Sequence, residues 1–265
     1  MATIFFRSKK GPFTVAGLIF ALTLMVLAPT ARASTPFLSS SEVQALTGKS
    51  IAEWGAEWWQ WAFLHPEVLV DKTGKSGPLG EVGGDVFFAE GSGGHPANVK
   101  YAVPGGKYVL VPVATYIWTF FEPCAEQGCA TEIINDHVFS GATDAYLIVD
   151  GVPVADMSAH LVLVTGDTVP FQVDAGPIGP DGYGGILDAL QGGYWVMLRP
   201  LSPGPHHISF GATVPLIDGN TGEPIGGTLD LKAKLRLEAV SGEIGSRHRV
   251  RKDDASWCPR RRRRR

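Results

Sequence analysis

The sequence predicts a mainly β fold: an antiparallel β-sandwich or jelly roll with an N-terminal Trp-rich helix packed on it. Residues 229–239 alternate apolar and polar side chains over eleven positions, as a strand with one buried face does. Short apolar runs elsewhere are separated by Gly- and Pro-rich turns, which is typical of antiparallel sheets. A helix with tryptophans at helical spacing precedes these runs, so it needs a sheet to pack on.

Two capping boxes predict two helices between residues 39 and 64. Ser39-Ser-Ser-Glu42 and Ser50-Ile-Ala-Glu53 each place a Ser three residues before a Glu, so that each side chain satisfies the other residue's free backbone amide. The second helix is predicted over residues 51–64. It ends before His65-Pro66, since the residue preceding a proline disfavours helical angles.

The second helix carries an aromatic stripe with two interpretations. Trp54, Trp58 and Trp61 follow one another at i, i+4 and i+7, whereas Trp59 falls off that stripe. The indoles either pack against the sheet or form a stacking platform for sugar rings, which would make all four tryptophans ligand-binding residues. Packing is favoured, because three indoles on one face are what an amphipathic helix needs to bury.

The stretch 194–210 is predicted to be a central β-hairpin, with an apolar arm, a turn at Ser202-Pro-Gly-Pro205 and an alternating return arm. Asp150-Gly151 predicts a second hairpin, because both central positions of such a turn need positive φ.

Further elements follow the same logic. Residues 99–103 and 107–113 are expected to pair about a Pro-Gly-Gly hinge, and residues 159–165 and 168–173 to form another pair. A short helical piece is predicted at 186–190.

The N-terminus predicts export. A basic start, an apolar run at residues 15–27 and Ala31-Arg-Ala33 form a secretory signal peptide. The apolar run is shorter than the roughly 20 residues a membrane-spanning helix needs, so no membrane span is expected after cleavage. The predicted organisation is a signal peptide at 1–33, an N-terminal helical segment at 34–66, a β-sandwich domain at 67–240 and a disordered basic tail at 241–265. The destination is the periplasm or the extracellular space.

Charge narrows the partners. Residues 34–245 hold 24 acidic and 9 basic residues, a net charge of −15, although the whole chain carries only −3. An acidic domain repels phosphate backbones, which argues against nucleic acid and anionic membranes as partners of the core. Cations and neutral ligands are still possible partners of the core. The basic tail is either a polyanion-binding arm or an extension without function.

Cysteine spacing predicts one disulfide. Cys124 and Cys129 flank Gly128, which allows the tight turn a local bridge needs. The alternative is half of a metal site, but no second Cys or His pair stands at matching spacing. Cys258 lies apart, in the tail.

Carboxylates in turns are the candidate metal ligands. Calcium prefers such oxygens, although no complete twelve-residue calcium loop is present. The competing interpretation, that Asp, Asn and Gly are simply turn formers, is favoured. No other cofactor is predicted. The calcium candidates are Asp218, Asn220 and Glu223 in one turn, and Asp174 and Asp181 in a Gly/Pro-rich loop.

Histidine and serine chemistry has weaker support. His206 and His207 are adjacent in a predicted strand, so their side chains should point to opposite faces and not share one metal. A Gly-x-Ser-x-Gly nucleophile elbow is missing from the sequence.

Several motifs together carry a resemblance. They are the Trp-rich helix, Asp-x-Thr-Gly, Val-Pro-Gly-Gly-Lys and Pro-Leu-x-Pro-Gly-x-His, spread over roughly residues 50–240. In this set the chain resembles a group of uncharacterised secreted bacterial proteins. The group has no established activity, so the resemblance implies export and no functional residue. The chain departs from the group at Gly77 and Val103, where similar proteins often carry a cysteine pair.

Two classes of function follow. The favoured one is a non-catalytic exported β-sandwich, a binding or structural module whose partner is a glycan, a cell-envelope component or another protein. The alternative is a hydrolase or lyase on a jelly-roll scaffold that uses carboxylates or a His. An enzyme should show a pocket with convergent titratable groups, and a binding module a polar or aromatic recognition surface.

The signal peptide gives the first testable prediction. Cleavage after Ala33 should leave a mature N-terminus at Ser34. Mass spectrometry of the protein recovered from the culture medium or the periplasm measures this directly. An intact Met1 in that material would contradict the predicted export.

Overall fold

The computed structural model describes residues 35–65, 84–89, 97–120, 124–176 and 184–240. The predicted signal peptide and the predicted basic tail lie outside these ranges. The chain divides into two units, Met1–Thr35 and Pro36–Arg265, and every element below belongs to the second. The α-helices are α1 (Ser40–Thr47), α2 (Ile51–Leu64) and α3 (Gln127–Glu132), with a π-helical segment at Ile133–Phe139 and a 3-10 turn at Met157–His160. The strands are β1 (Val86–Phe88), β2 (Ala97–Pro104), β3 (Tyr108–Thr119), β4 (Thr143–Val149), β5 (Val152–Pro153), β6 (Leu161–Val162), β7 (Phe171–Asp174), β8 (Ile186–Leu198), β9 (Gly204–Ile217) and β10 (Pro224–Val240).

The strands form two five-stranded sheets, which confirms the predicted β-sandwich. Sheet A has the order β1-β3-β8-β6, and β7 also pairs with β8. Sheet B has the order β2-β10-β9-β4-β5. Both sheets are mixed, because β1 pairs with β3 and β2 pairs with β10 in parallel. The predicted antiparallel pairing is therefore wrong at these two pairs. Between β1 and β3 the chain passes through β2, which lies in sheet B. It then returns to sheet A, where β3 runs in the same direction as β1.

The predicted central hairpin is wrong in its pairing. The two arms of the stretch 194–210 are strands, but β8 lies in sheet A and β9 in sheet B. The connection contains Pro200 and Pro203, and Pro205 is the second residue of β9; none of these prolines has an N–H to donate to a ladder. The chain therefore crosses from one sheet to the other at this point.

Three smaller predictions are wrong: two strand pairs and one short helix. The strands on either side of Pro104 lie in different sheets, and β6 and β7 each pair with β8 rather than with each other. The segment 186–190 is the start of β8 and not a helix.

The hairpin at Asp150-Gly151 is confirmed. Asp150 has φ 51° and Gly151 has φ 81°, the positive angles that this tight turn requires. The turn joins β4 to β5, with Val149 opposite Val152.

Sheet A is buried on both faces, which explains why its strands read as continuous apolar runs. Along β3, Val109 and Val111 face the space between the sheets, and Leu110 faces α2. Along β8, Val196 faces the sandwich core and Trp195 faces the helix. Sheet A is therefore the middle layer of three, between α2 and sheet B.

Helix α2 has its predicted bounds and its capping box, in which Ser50 and Glu53 satisfy each other's amides. Trp58 is 1% exposed and donates its Nε1–H to the Ala89 carbonyl at 2.7 Å. Its ring lies 5.6 Å from the ring of Trp195 in an edge contact. The predicted packing of the helix on the sheet is confirmed.

Trp59 departs from the predicted pattern, because it is 9% exposed although it lies off the stripe. The helix meets β7 as well as β8, and the Gln60 side chain donates to the Gln172 carbonyl of β7. A second contact surface widens the buried face. Among the described residues no acceptor reaches the buried Nε1–H of Trp59.

The predicted disulfide is present between Cys124 and Cys129, whose Cα atoms are 5.7 Å apart. It encloses the start of α3, and Trp118 donates its indole N–H to the Cys124 carbonyl at 3.1 Å. The bridge thus fixes α3 against the end of β3. As for membrane crossing, the described part of the chain holds no helix with the length and apolarity that spanning a bilayer requires.

The packing of α2 yields a stability prediction. Replacing Trp58 by Ala should lower the free energy of unfolding by about 3 to 5 kcal/mol, the usual cost of emptying a large aromatic site. The matched control is Leu64→Ala, in the same helix, where the side chain is exposed and the loss should stay within about 0.5 kcal/mol. Urea unfolding of both variants measures the difference. Overlapping curves for Trp58→Ala and the parent protein would contradict the packing of α2 on sheet A.

Candidate functional site

The tryptophan candidates are core residues. Trp54 is 5% exposed, Trp58 1% and Trp59 9%, and Trp61 is half-buried against Trp58 and Phe88. A sugar ring cannot stack on a buried indole. Trp54, Trp58 and Trp59 therefore present no free indole face to solvent.

The carboxylate candidates for calcium are engaged in turns. The Asp218 carboxylate accepts hydrogen bonds from the backbone N–H groups of Asn220 and Thr221 at 2.8 and 3.0 Å, which lowers the pKa of Asp218. Asp174 accepts in the same way from Gly176. These bonds agree with the turn-former interpretation of the two sequences.

The remaining calcium candidates, Glu223 and Asp181, do not complete a set of calcium ligands among the described residues. Glu223 contributes its backbone carbonyl to the turn, accepting from the Asp218 N–H at 2.9 Å. Asp181 lies outside the described residues. Over the ranges that the structure describes, no three His, Cys, Asp or Glu side chains gather as a metal site would need.

A histidine, an aspartate and a serine do come together, between the β8–β9 connection and the β4–β5 turn. His206 Nδ1 lies 2.6 Å from Asp150 Oδ2, and His206 Nε2 lies 2.7 Å from the Ser202 carbonyl oxygen and 3.4 Å from Ser202 Oγ. The neighbouring His207 is exposed, so the two rings point to opposite faces as predicted.

This cluster is a structural ion pair and not a catalytic triad. A carbonyl oxygen and an ionised carboxylate only accept hydrogen bonds, so both ring nitrogens of His206 carry protons. Burial of the ring opposes the charged form, but the bonds to Asp150 and Ser202 outweigh burial, and the pKa of His206 is raised. An imidazolium has no lone pair with which to take a proton from the Ser202 hydroxyl. Asp150 complements it: partial burial works the other way, but hydrogen bonds from the His206 ring and the His207 backbone lower the pKa of Asp150.

The concave site lies along α2, at the edge of sheet A. It is a groove of about 580 Å³, bounded by the first half of α2 and by the segment between β6 and β7. This volume falls in the range on the order of 300–1,000 Å³ that small-molecule sites occupy. We call it the α2 groove.

The α2 groove exists because the edge of sheet A has a notch. On the edge of β8 that faces away from β3, β6 pairs with Tyr194 and Gly193, and β7 pairs with Ala189 and the residues before it. Residues 190–192 lie between these two short strands. The chain linking β6 to β7 lines the groove together with α2.

Gln191 fixes the bottom of the notch. This buried side chain accepts from Trp195 Nε1 at 2.8 Å and donates to the Ala52 carbonyl of α2 at 3.2 Å. The helix approaches closely because Gly55 has no side chain, since a Cβ there would lie 2.7 Å from Gln191 Nε2. The Gln191 amide thus ties the helix to the sheet inside the groove.

The floor of the groove is apolar and its rim is acidic. Val162 and Phe171, both partly buried, supply the floor, and Val169 at the outer wall is 80% exposed.

Two rim carboxylates are held in place by neighbours. Glu53 accepts from the Ser50 N–H at 2.6 Å and from the Ser50 hydroxyl at 2.8 Å, and these bonds lower the pKa of Glu53. Glu57 forms an ion pair with Lys49, whose ammonium also lies 4.7 Å from the centre of the Trp54 ring. Asp167, on the opposite wall, is exposed.

Sequence reasoning does not find this groove. Its walls come from α2, from the β6–β7 segment and from β8, and Gln191 and Ala52 are 139 residues apart in the chain. The capping-box Glu53 was visible in the sequence only as a helix signal. Nothing local marks Asp167 or Val169 as neighbours of it.

Comparison with known proteins adds no family. No protein-family model, no curated protein and no solved structure matches the chain.

The His206 cluster gives a pH-dependent prediction. Because the pKa of His206 is raised above its usual 6.5, its contribution to stability is present below about pH 6.5 and is lost as pH rises through the folded-state pKa. The contribution of Asp150, whose pKa is lowered from 3.8, is present above that value and is lost as pH falls through the folded-state pKa. His206→Ala should therefore destabilise the protein by about 1 to 3 kcal/mol near pH 5.5 and by less near pH 9.

Urea unfolding of the variant and the parent at both pH values measures this difference. His207→Ala is the control, since it keeps the backbone N–H that Asp150 accepts. A His206→Ala effect that is equal at the two pH values would refute the charged pair.

Proposed function

We propose that the protein is an exported, non-catalytic binding module that holds a neutral oligosaccharide in the α2 groove. The observation that carries this proposal is the combination of an apolar floor with carboxylates that are fixed by their own hydrogen bonds.

A sugar matches this combination chemically. The C–H face of a pyranose ring is apolar and can rest on Phe171 and Val162, which are partly buried, while its hydroxyl groups donate to carboxylate oxygens at the rim. Glu53 and Asp167 lie on opposite walls and offer acceptors to both edges of such a ring. An anionic ligand would be repelled by these carboxylates, which favours a neutral sugar.

The rim is organised before any ligand arrives. One oxygen of Glu53 is held by Ser50, and one oxygen of Glu57 is held by Lys49, while the second oxygen of each carboxylate has no hydrogen bond to a described residue. Side chains that are already ordered lose little conformational entropy on binding. The groove can therefore bind without rearranging.

The same bonds disfavour the alternative of a hydrolase or lyase. Glycoside cleavage needs a carboxylic acid whose pKa is raised so that it carries a proton near neutral pH. The bonds from Ser50 lower the pKa of Glu53 and keep it ionised. The raised pKa of His206 favours its protonated form, in which both ring nitrogens donate and neither can accept a proton.

Export is supported by two independent features. Disulfides such as Cys124–Cys129 persist mainly in oxidising compartments outside the cytosol. The N-terminal sequence has the three parts of a secretory signal. An envelope or extracellular glycan is the partner that such a location offers.

Isothermal titration of the mature protein with β-1,4-linked tetrasaccharides of glucose and of N-acetylglucosamine tests the proposal. One of them should bind with a Kd on the order of 100 µM, equivalent to about −5.5 kcal/mol. Asp167→Asn should weaken that binding about tenfold, the effect of losing one hydrogen bond to a charged group. Glu223→Gln, which alters an exposed carboxylate in the β9–β10 turn, should leave the affinity unchanged.

Three results would contradict the proposal. They are the absence of binding to both sugars, an equal loss of affinity in Glu223→Gln, and the release of new reducing ends from the tetrasaccharides. The last result would establish the hydrolase alternative.

A further inference from the structure

We infer that the outer face of sheet B is a second binding site, which takes a linear acidic polysaccharide through its carboxylates. The inference does not depend on the α2 groove, which lies on the other side of sheet A. The acidic domain has few basic residues, and their positions carry the inference. Four of the nine basic residues between positions 34 and 245 stand on adjacent strands of this face: Lys100, Lys232, Lys234 and Arg236. We call these four residues the basic stripe.

The stripe follows from the alternation of β10. Ala233, Leu235 and Leu237 are buried in the sandwich core, so the intervening side chains point outward and are exposed. Side chains two apart on one strand are spaced by about 7 Å. Lys232, Lys234 and Arg236 thus form a line of cations along the strand.

Neighbouring strands widen this line. Arg236 lies directly between Lys100 of β2 and His207 of β9 in the register of the sheet. Like charges placed directly opposite each other across strands destabilise a sheet. Among the described residues no carboxylate comes within 4.0 Å of Lys100, Lys234 or Arg236, whereas Lys232 is paired with Asp230 at 3.1 Å. Three uncompensated cations on one face are an arrangement that a bound anion would relieve.

The face also has a place for a ligand to rest. A shallow hollow of about 290 Å³ lies beside the stripe, lined by Lys234, Arg236, His207 and Ser209 with Ile148 at its side. Ser209 is the direct neighbour of Lys234, and Ile148 is the next residue across. Lys234 and Arg236 therefore have a hydroxyl and an imidazole beside them on β9, with an aliphatic side chain beyond on β4.

This combination of cations with neighbouring polar and aliphatic groups indicates a polysaccharide with one carboxylate on each sugar. Such a polymer presents well-separated charges with hydroxyl groups and C–H faces between them, and the hollow offers a matching partner for each. A membrane surface fits poorly, because no large apolar side chain of the described residues stands exposed among the stripe to enter a bilayer. A dense phosphate array fits poorly as well, because Asp230 and Glu238 lie at the two ends of the line along β10.

Titration of the mature protein with a hexamer of α-1,4-linked galacturonic acid in low salt tests the inference. The hexamer should bind, its affinity should fall as sodium chloride is added, and neutral maltohexaose should show no salt-dependent binding. Arg236→Gln should weaken binding about threefold and Arg236→Glu about tenfold, as expected for a partly solvated ion pair removed or reversed. Lys107→Gln removes the same charge outside the stripe and should leave the affinity unchanged.

Lys234→Gln serves as a second stripe variant and should show the same loss as Arg236→Gln. The inference is overturned if the hexamer does not bind, if maltohexaose binds equally well, or if Lys107→Gln weakens binding as much as the stripe variants. It is also overturned if vesicles containing phosphatidylglycerol bind and the hexamer does not compete with them. An unchanged melting temperature in each variant shows that a loss of affinity is local.

Discussion

The contact of Trp58 with Trp195 is the interaction on which the arrangement of layers depends. The two indoles meet edge to face at 5.6 Å, and both side chains are almost completely buried. Trp195 stands on the face of β8 that points away from sheet B, so without α2 that face would be an exposed apolar surface in the middle of the sheet. The helix turns a two-layer sandwich into a three-layer one. Two surfaces of the sheets stay accessible to solvent in this arrangement. One is the notch where α2 and sheet A fit incompletely, and the other is the outer face of sheet B.

Local features of this fold follow from the sequence, and strand partners do not. The capping boxes, the Asp150-Gly151 turn and the alternation of β10 each depend on residues within a few positions, so their physics is complete in a short window. The stretch 194–210 shows the opposite case. Two apolar runs joined by a proline-rich turn predict a hairpin, yet a strand that is buried on both faces has no polar side to say which layer it belongs to. The prolines that mark the turn also prevent its ladder, and the strands separate into two sheets.

The two surfaces for which we propose binding could not be found from the sequence, for two different reasons. The α2 groove joins segments far apart in the chain, and the residue that closes its floor, Gln191, reads in the sequence as an ordinary polar position. The basic stripe is not visible in the net charge, because the net charge sums over the whole core. A net charge of −15 over the core describes the domain as a whole, but the register of β2 with β10 places Lys100 beside Arg236 and gives one face the opposite sign. Net charge therefore constrains partners only when the charges are spread evenly, and a sheet with one buried face concentrates its polar residues on the other.

Hydrogen bonds favour the charged forms of Glu53, Asp150 and His206. General acid–base catalysis works best with a group whose pKa lies near the working pH and whose proton is free to move. Hydrogen bonds lower the pKa of Glu53 and of Asp150, so both stay ionised near neutral pH. The raised pKa of His206 favours its protonated form, which donates to Asp150 and to the Ser202 carbonyl. Fixed charges beside fixed apolar surfaces can orient a ligand strongly while leaving its bonds intact, and this physical character favours recognition over chemistry at both surfaces of the molecule.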